Sequence, residues 1–219
     1  MTKTSFEFLT DIDMAEFISK RAHDLRSPYN HVIGFTKMVL NGQSGPLTDM
    51  QKEDLSTSYK SAMRTLWVMN NLIDIARLSR NEKGTSPSEV DVNDVLDRAI
   101  ADWKKFNFGD ESVIASMVMT NSPIIKADEV QTRQVISNFI TYIKDHMHPG
   151  ASVTITVDDD PTGWLFTVEA TGEIKELHAQ MDTEMTGYVC NKYLQLAGGE
   201  ILAGEAGDGK ATVKFVLPK

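Results

Sequence analysis

The segment His23-Asp24-Leu25-Arg26-Ser27-Pro28 lies inside an amphipathic run over residues 17–45. Pro28 has no backbone N–H, so the carbonyl of Asp24 loses its helical partner and the helix should loosen or bend there. An exposed imidazole beside a carboxylate has a group that can orient it and take up its proton. The pattern favours a nucleophilic histidine that accepts a phosphoryl-like group; the plainer interpretation is a surface histidine on an ordinary helix.

Apolar spacing around this stretch predicts two long helices. The first begins near Asp13 and ends before Gly42, and Thr48 with Gln51 forms a capping box for the second. Both helices carry a three-four apolar repeat, which is typical of a bundle face. The repeat comprises Ile18, Ala22, Leu25, Tyr29 and Val32 in the first helix and Leu55, Tyr59, Ala62, Leu66, Met69, Ile73 and Ala76 in the second. One hairpin cannot cover these faces, so we expect a second copy or another element to pack on them.

Residues 81–88 are polar and turn-forming, and helices and strands alternate after them. We predict helices near residues 95–103, 129–146 and 186–196, and strands near residues 112–119, 152–157, 164–168, 200–203 and 211–217. The run DDDPTG, residues 158–163, is predicted to be the loop between two of these strands. Helices beside a mixed sheet form an α/β sandwich, which makes the fold class of the whole chain α+β.

Composition narrows the function classes. The chain has 219 residues, 41% hydrophobic and 24% charged, and a net charge of −9, which disfavours binding to nucleic acid or anionic lipid. No apolar run of about 18 residues is present, and the first residues lack the apolar stretch of a secretory signal. Cys190 is the only cysteine, so neither an intrachain disulfide nor a cysteine-based zinc site can form, and no metal site is expected. We expect a cytoplasmic protein.

The hairpin resembles a known family. HDLRSPYNHVIGFTKMVLNGQSGPLTDMQKEDL, residues 23–55, followed by NNLIDIARLSR, residues 70–80, closely resembles the dimerisation and phosphoacceptor hairpin of sensor histidine kinases. The resemblance implies that His23 is the phosphoacceptor, that Asp24 is the neighbouring acid/base, and that two copies form a four-helix bundle. Arg26 is a candidate for steering phosphate. Ser27 stands where the family's phosphatase motif has Thr or Asn, which weakens the expectation of phosphatase activity.

The second half also resembles this family. VQTRQVISNFITYIKDHMHPGASVTITV, residues 130–157, is similar to the nucleotide-binding helix and following strand of the kinase ATPase domain. YVCNKYLQLAGGEILAGEAGDGKATVKFVLP, residues 188–218, is similar to that domain's closing helix and hairpin. The resemblance divides the chain into a phosphoacceptor hairpin, residues 1–84, and a degenerate ATPase-like domain, residues 85–219.

The nucleotide site departs from the family pattern at several positions. Tyr142 stands at the magnesium-binding asparagine, while Asn138 occupies a packing position one turn earlier. Ala170 replaces the aspartate that reads adenine, and Gly172 is the surviving glycine of that box. Gly187 is what remains of the second glycine box, and residues 175–184 are short for an ATP lid. Alanine cannot accept a hydrogen bond from adenine, and tyrosine is a poor magnesium ligand, so we expect no nucleotide cofactor.

Three functions are compatible with these residues. The first is a two-component signalling protein that exchanges a phosphoryl group between His23 and an aspartate of a response-regulator receiver domain without ATP. The second is an active Mg-ATP-dependent histidine kinase with a divergent site. The third is a non-catalytic module that docks a receiver domain or another histidine kinase. All three predict a protein partner and a homodimer.

Overall fold

The structure is a computed structural model that describes residues 13–106, 113–117, 123–145, 147–148, 150–173 and 180–219. The described chain forms a helical hairpin followed by a helix-covered sheet, which confirms the predicted α+β class. Its helices are α1 Met14–Leu40, α2 Asp49–Ser79, α3 Val92–Phe106, α4 Glu129–Asp145 and α5 Gln180–Leu196. Its strands are β1 Ser88–Asp91, β2 Val113–Met117, β3 Ile124–Ala127, β4 Ser152–Asp160, β5 Gly163–Thr171, β6 Glu200–Gly207 and β7 Lys210–Leu217.

Local signals at the ends of α1 and α2 act as the sequence predicts. The side chain of Asp13 caps α1 by accepting a hydrogen bond from the backbone N–H of Glu16, at 3.1 Å. Thr48 and Gln51 exchange the two hydrogen bonds of a capping box at the start of α2. Pro28 lies inside α1, which remains helical from Met14 to Leu40.

The main sheet has five strands in the order β2-β4-β5-β7-β6. The β2–β4 pair is parallel and the other pairs are antiparallel, so the sheet is mixed. Strands β1 and β3 form a separate antiparallel pair. No helix in the described ranges is both long and apolar enough to cross a membrane.

The core lies between the sheet and the helices of the second half. Along β4 the buried side chains alternate with more exposed ones, which places one face of the sheet against the helices. Phe139 of α4 contacts Phe215 of β7 with ring centroids 5.4 Å apart, and Phe215 stacks on Phe166 of β5 at 4.8 Å. Cys190 of α5 is fully buried in the same core, as its small apolar character predicts.

The prediction of a loop at residues 158–163 was wrong. Asp158, Asp159 and Asp160 continue β4 and pair with Leu165, Trp164 and Gly163 of β5. Polar residues are compatible with the exposed end of a strand, where water and local partners satisfy their charge. Asp160 accepts hydrogen bonds from the backbone and hydroxyl of Thr162, and these bonds lower the pKa of its carboxyl.

The predicted start of the last helix was also too late. Helix α5 begins at Gln180 rather than near Thr186, so Gly187 lies inside the helix. The positions of strands β6 and β7 are confirmed, and their turn lies at Asp208-Gly209. The expectation for a short lid falls on residues 174–179, outside the described residues, and on the first turns of α5.

Candidate functional site

His23 lies in the middle of α1 and is exposed. Within the described part of the chain its imidazole makes no hydrogen bond, so both ring nitrogens are available to a partner. The neighbouring carboxylate of Asp24 accepts a hydrogen bond from the guanidinium of Arg21, at 3.1 Å, rather than from the imidazole. Ser27 is exposed one turn further along the helix.

His23 lines a cleft of about 1190 Å³ between the hairpin and the second half. Arg26 lines the same cleft, where its Nη2 donates a hydrogen bond to Oδ1 of Asn70 on α2, at 2.8 Å. Asp24 and Ser27 are not among its lining residues. The structure thus brings together His23 and Arg26 of the candidate residues. The opposite wall of the cleft comes from α3 and α4 of the second half.

Helix α2 docks on α4 through a set of side-chain amides. The indole Nε1 of Trp67 donates to Oδ1 of Asn138 at 2.9 Å, and Nδ2 of Asn138 donates to Oδ1 of Asn71 at 3.1 Å. Asn71 and Asn138 are 1% and 3% exposed, so these hydrogen bonds are shielded from water. Asn138 is a packing residue, as expected, but its partner is the hairpin.

A buried carboxylate makes a second contact between the halves. Asp74 of α2 is 6% exposed, and it accepts hydrogen bonds from Nζ of Lys83 at 2.8 Å and from Nε2 of Gln134 at 2.5 Å. The phenol of Tyr193 on α5 is buried, and this burial together with the negative charge of Asp74 raises its pKa. Asp74 therefore connects α2 to the connector, α4 and α5.

The connector between the hairpin and the second half is held by hydrogen bonds along its length. Besides the Lys83–Asp74 contact, the carbonyl of Gly84 accepts from Nε2 of Gln131 at 2.6 Å. The backbone N–H of Ser86 donates to Oδ2 of Asp128 at 2.8 Å. These bonds tie the connector to the first turns of α4 and the residue before them.

Tyr142 and Ala170, at which the sequence predicts loss of the family's nucleotide ligands, lie in packed surroundings. Tyr142 is half-buried against the hydrophobic core. Ala170 is 0% exposed within β5, where it pairs with Val153 on one side and Ala211 on the other.

Gly172 and Gly187 also differ from glycines that approach phosphate. A Cβ at Gly172 would lie 3.0 Å from the Cβ of Ala151 and 3.6 Å from Cε of Met147, and Met147 is 2% exposed. The backbone N–H of Gly172 donates to the carbonyl of Gly209, so it is already paired. Gly187 lies within α5, where its N–H serves the helix rather than a phosphate-binding loop.

Sequence reasoning missed the residues that join the halves. These residues are Trp67, Asn71 and Asp74, and they lie beside the apolar repeat of α2. Polar residues at such positions are usually interpreted as facing solvent. The available signal was their spacing: positions 67, 71 and 74 share one helical face and place an indole, an amide and a carboxylate in a row. A row of this kind beside the apolar repeat of a helix indicates a buried polar contact.

Residues 13–81 match the His Kinase A (phospho-acceptor) domain family. The cell-division control histidine kinases PdhS of Brucella suis and Brucella abortus are each 26% identical over 149 residues, which cover 68% of this chain. The chain spans about 14% of the length of these curated relatives.

Solved structures share the fold. Full-length ShkA in complex with AMPPNP superposes with a TM-score of 0.62 at 21% identity, over 93% of this chain and 46% of that one. The Acinetobacter baumannii histidine kinase AdeS superposes with a TM-score of 0.55 at 14% identity, over 90% of this chain and 97% of that one.

A helical hairpin followed by a helix-covered mixed sheet is the fold that this chain shares with solved histidine kinase structures. Residues 13–81 form a His Kinase A (phospho-acceptor) domain, and the chain is similar to histidine kinases.

Proposed function

We propose that the chain is a two-component phosphotransfer protein, in which His23 exchanges a phosphoryl group with an aspartate of a response-regulator receiver domain without using ATP. Residues 1–84 supply the acceptor, and residues 85–219 supply a wall of the cleft in place of a nucleotide site. The accessible imidazole of His23 in a large open cleft supports this function.

The transfer needs few groups. The unprotonated nitrogen of a neutral imidazole attacks phosphorus, a P–N bond forms, and the P–O bond to the aspartyl carboxylate breaks. The other ring nitrogen then releases its proton. Asp24, adjacent in sequence, is the carboxylate that receives this proton. To do so, its side chain must change its hydrogen-bond partner from the guanidinium of Arg21 to the imidazole of His23. Arg26, held by Asn70, supplies positive charge beside the transferred group.

The observation that carries the ATP-independent function is the burial of Ala170. A fully buried methyl group between two strand neighbours stands where the family reads adenine, and Tyr142 stands at the metal position. A kinase would need a replacement for both groups. The packing of Met147 against Gly172 further disfavours a nucleotide there.

A second copy of the chain completes the hairpin in this proposal. Apolar side chains of α1 remain uncovered in the single chain, with Leu25 50%, Val32 53% and Phe35 67% exposed. Leu25 and Val32 belong to the predicted bundle face, so a homodimer with a four-helix bundle buries them.

The test measures the label on His23 from two donors. Purified protein and a His23→Ala variant are incubated with γ-labelled ATP and Mg²⁺, and separately with a panel of receiver domains carrying labelled phosphoaspartate. We expect acid-labile label on the wild type from a receiver and none from ATP. His23-dependent label from ATP would establish the alternative, an active kinase with a divergent site.

A docking module is the remaining alternative. It predicts receiver binding that is equal in the wild type and the His23→Ala variant, with no label from either donor. The same cleft supports this alternative, because a cleft of this size can hold a partner whether or not a phosphoryl group is transferred.

A further inference from the structure

The cleft beside His23 has an excess of positive charge that the rest of the chain does not share. Six basic side chains line it against three acidic ones, although the chain as a whole has a net charge of −9. Each of the three acidic side chains has a basic partner within the cleft, in the pairs Arg64–Asp145, Lys83–Asp74 and Arg133–Asp102. The acidic residues of the cleft are therefore already compensated.

Three basic side chains of the cleft have no acidic partner in the described ranges. They are Arg26, which donates to the neutral amide of Asn70, and the exposed Lys60 and Arg77 of α2. An uncompensated cation in a concave site attracts anions more strongly than the same cation on a flat surface, because the low-dielectric walls focus its field. The cleft thus has three positions at which an anion gains attraction without displacing an existing ion pair.

The helical register places these cations relative to His23. Arg26 follows His23 by three positions on α1, so both side chains lie on one face. Arg77 follows Asn70, the partner of Arg26, by seven positions on α2 and shares its face. Lys60 precedes Arg77 by 17 positions on α2, which is about 25 Å along a helix that rises about 1.5 Å per residue. The cations are spread along the cleft rather than gathered around one point.

We propose that this cleft is an electrostatic docking surface for the acidic face of the phosphoryl-carrying protein partner, with Arg77 and Lys60 as its two anchoring cations. The proposal rests on the proposed function and names the chemistry by which the partner is recognised. A carboxylate that carries a phosphoryl group is strongly anionic, so the surface around it is drawn to uncompensated cations. The spread of the cations along the cleft favours a protein surface over a single small anion.

The experiment compares Arg77→Glu and Lys60→Glu with Lys214→Glu, which makes the same charge change at an exposed position on β7, away from the cleft. Binding of a receiver domain, chosen from the panel because it binds the wild type, is measured at low and high salt for all variants. We expect the two cleft variants to bind about 10-fold more weakly at low salt, with a smaller difference at high salt, and Lys214→Glu to bind like the wild type. Equal binding by all variants would overturn the proposal.

Two further measurements separate docking from chemistry. Phosphoramidate, a small phosphoryl donor that needs no docking surface, should label His23 with a smaller loss in the cleft variants than the loss in receiver binding. Equal losses for phosphoramidate labelling and receiver binding would show that Arg77 and Lys60 act on the reaction and overturn their assignment as docking residues. Pyrophosphate at millimolar concentration should not displace the receiver; saturable displacement would make the cleft a small-anion site instead.

The proposed function and the docking surface can fail separately. If no donor labels His23, phosphotransfer fails, while the salt-dependent binding of the variants still decides the docking surface. If the label is present but binding ignores the cleft charges, only the docking surface fails. Circular dichroism of each variant confirms that the fold is retained.

Discussion

The indole Nε1 of Trp67 on α2 donates a hydrogen bond of 2.9 Å to the side-chain oxygen of Asn138 on α4, across 71 residues of sequence. The bond joins the hairpin to the helix that, in the family, binds nucleotide. Arg64 also lies over the Trp67 ring, 4.3 Å from its centroid, and pairs with Asp145 at the end of α4. Trp67 is therefore the centre of the contact between the two halves.

Replacing Trp67 with Phe should destabilise this contact. The ring remains for Arg64, but Oδ1 of the buried Asn138 loses its donor, which costs about 1–2 kcal/mol. Chemical denaturation measures the free energy of unfolding. Trp164→Phe in β5 is the matched control, because it makes the same change away from α4. Equal losses for both variants would contradict a specific role for the Trp67–Asn138 bond.

The sequence predicted the elements better than their assembly. The capping residues Asp13 and Thr48 and the apolar alternation in β4 are local signals. Each of them determines structure only within a few residues of its own position. The docking of α2 on α4 depends on side chains about 70 positions apart, and nothing within either helix specifies that pairing. The boundary error at residues 158–163 has the same cause, because cross-strand pairing overrode polar composition.

Charge on α1 should separate the homodimer into monomers. Val32→Glu and Phe35→Glu place carboxylates on the exposed apolar side of α1, where burial against a second copy would desolvate them. Light scattering after size-exclusion chromatography should give twice the chain mass for the wild type and the single mass for both variants. Ile124→Glu is the control, since this residue is 53% exposed on β3 in the second half. A monomeric wild type would refute the dimer.

The thiol of Cys190 should be unreactive in the folded protein. Burial raises its pKa above the ordinary value of 9.0, so the thiolate that attacks disulfide reagents is scarce as well as inaccessible. We expect Ellman's reagent to react at pH 8 only after denaturant is added. Rapid reaction of the native protein would contradict the burial of the last turns of α5.

The raised pKa of the Cys190 thiol also predicts how the stability of the protein changes with pH. Above pH 9.0 the unfolded chain releases the thiol proton while the folded chain keeps it, so the free energy of unfolding should fall as pH rises. The contribution approaches about 1.4 kcal/mol per pH unit. Subtracting the free energy of unfolding of Cys190→Ala at each pH from that of the wild type isolates the contribution of the thiol. Parallel pH profiles for the two proteins would contradict this prediction.

Two glycines should respond oppositely to alanine. A Cβ at Gly163 would lie 2.2 Å from the carbonyl oxygen of Leu217, so Gly163→Ala forces β5 and β7 apart and destabilises the sheet. A Cβ at Gly187 meets nothing within 4 Å inside α5, so Gly187→Ala should stabilise the fold by about 0.5–1 kcal/mol. Thermal denaturation measures both. Destabilisation by Gly187→Ala would indicate that this glycine does not serve as an ordinary helical residue.

The hydrogen bonds of Lys83, Gly84 and Ser86 limit how the two halves of the chain can move relative to each other. A connector with free backbone groups acts as a hinge, whereas this one is bonded to Asp74, Gln131 and Asp128. Those bonds must break before one half can swing relative to the other, so the connector behaves as a rigid spacer. Under the proposed function, phosphoryl exchange at His23 then depends on the concentrations and phosphorylation levels of the partners rather than on a movement of one half relative to the other.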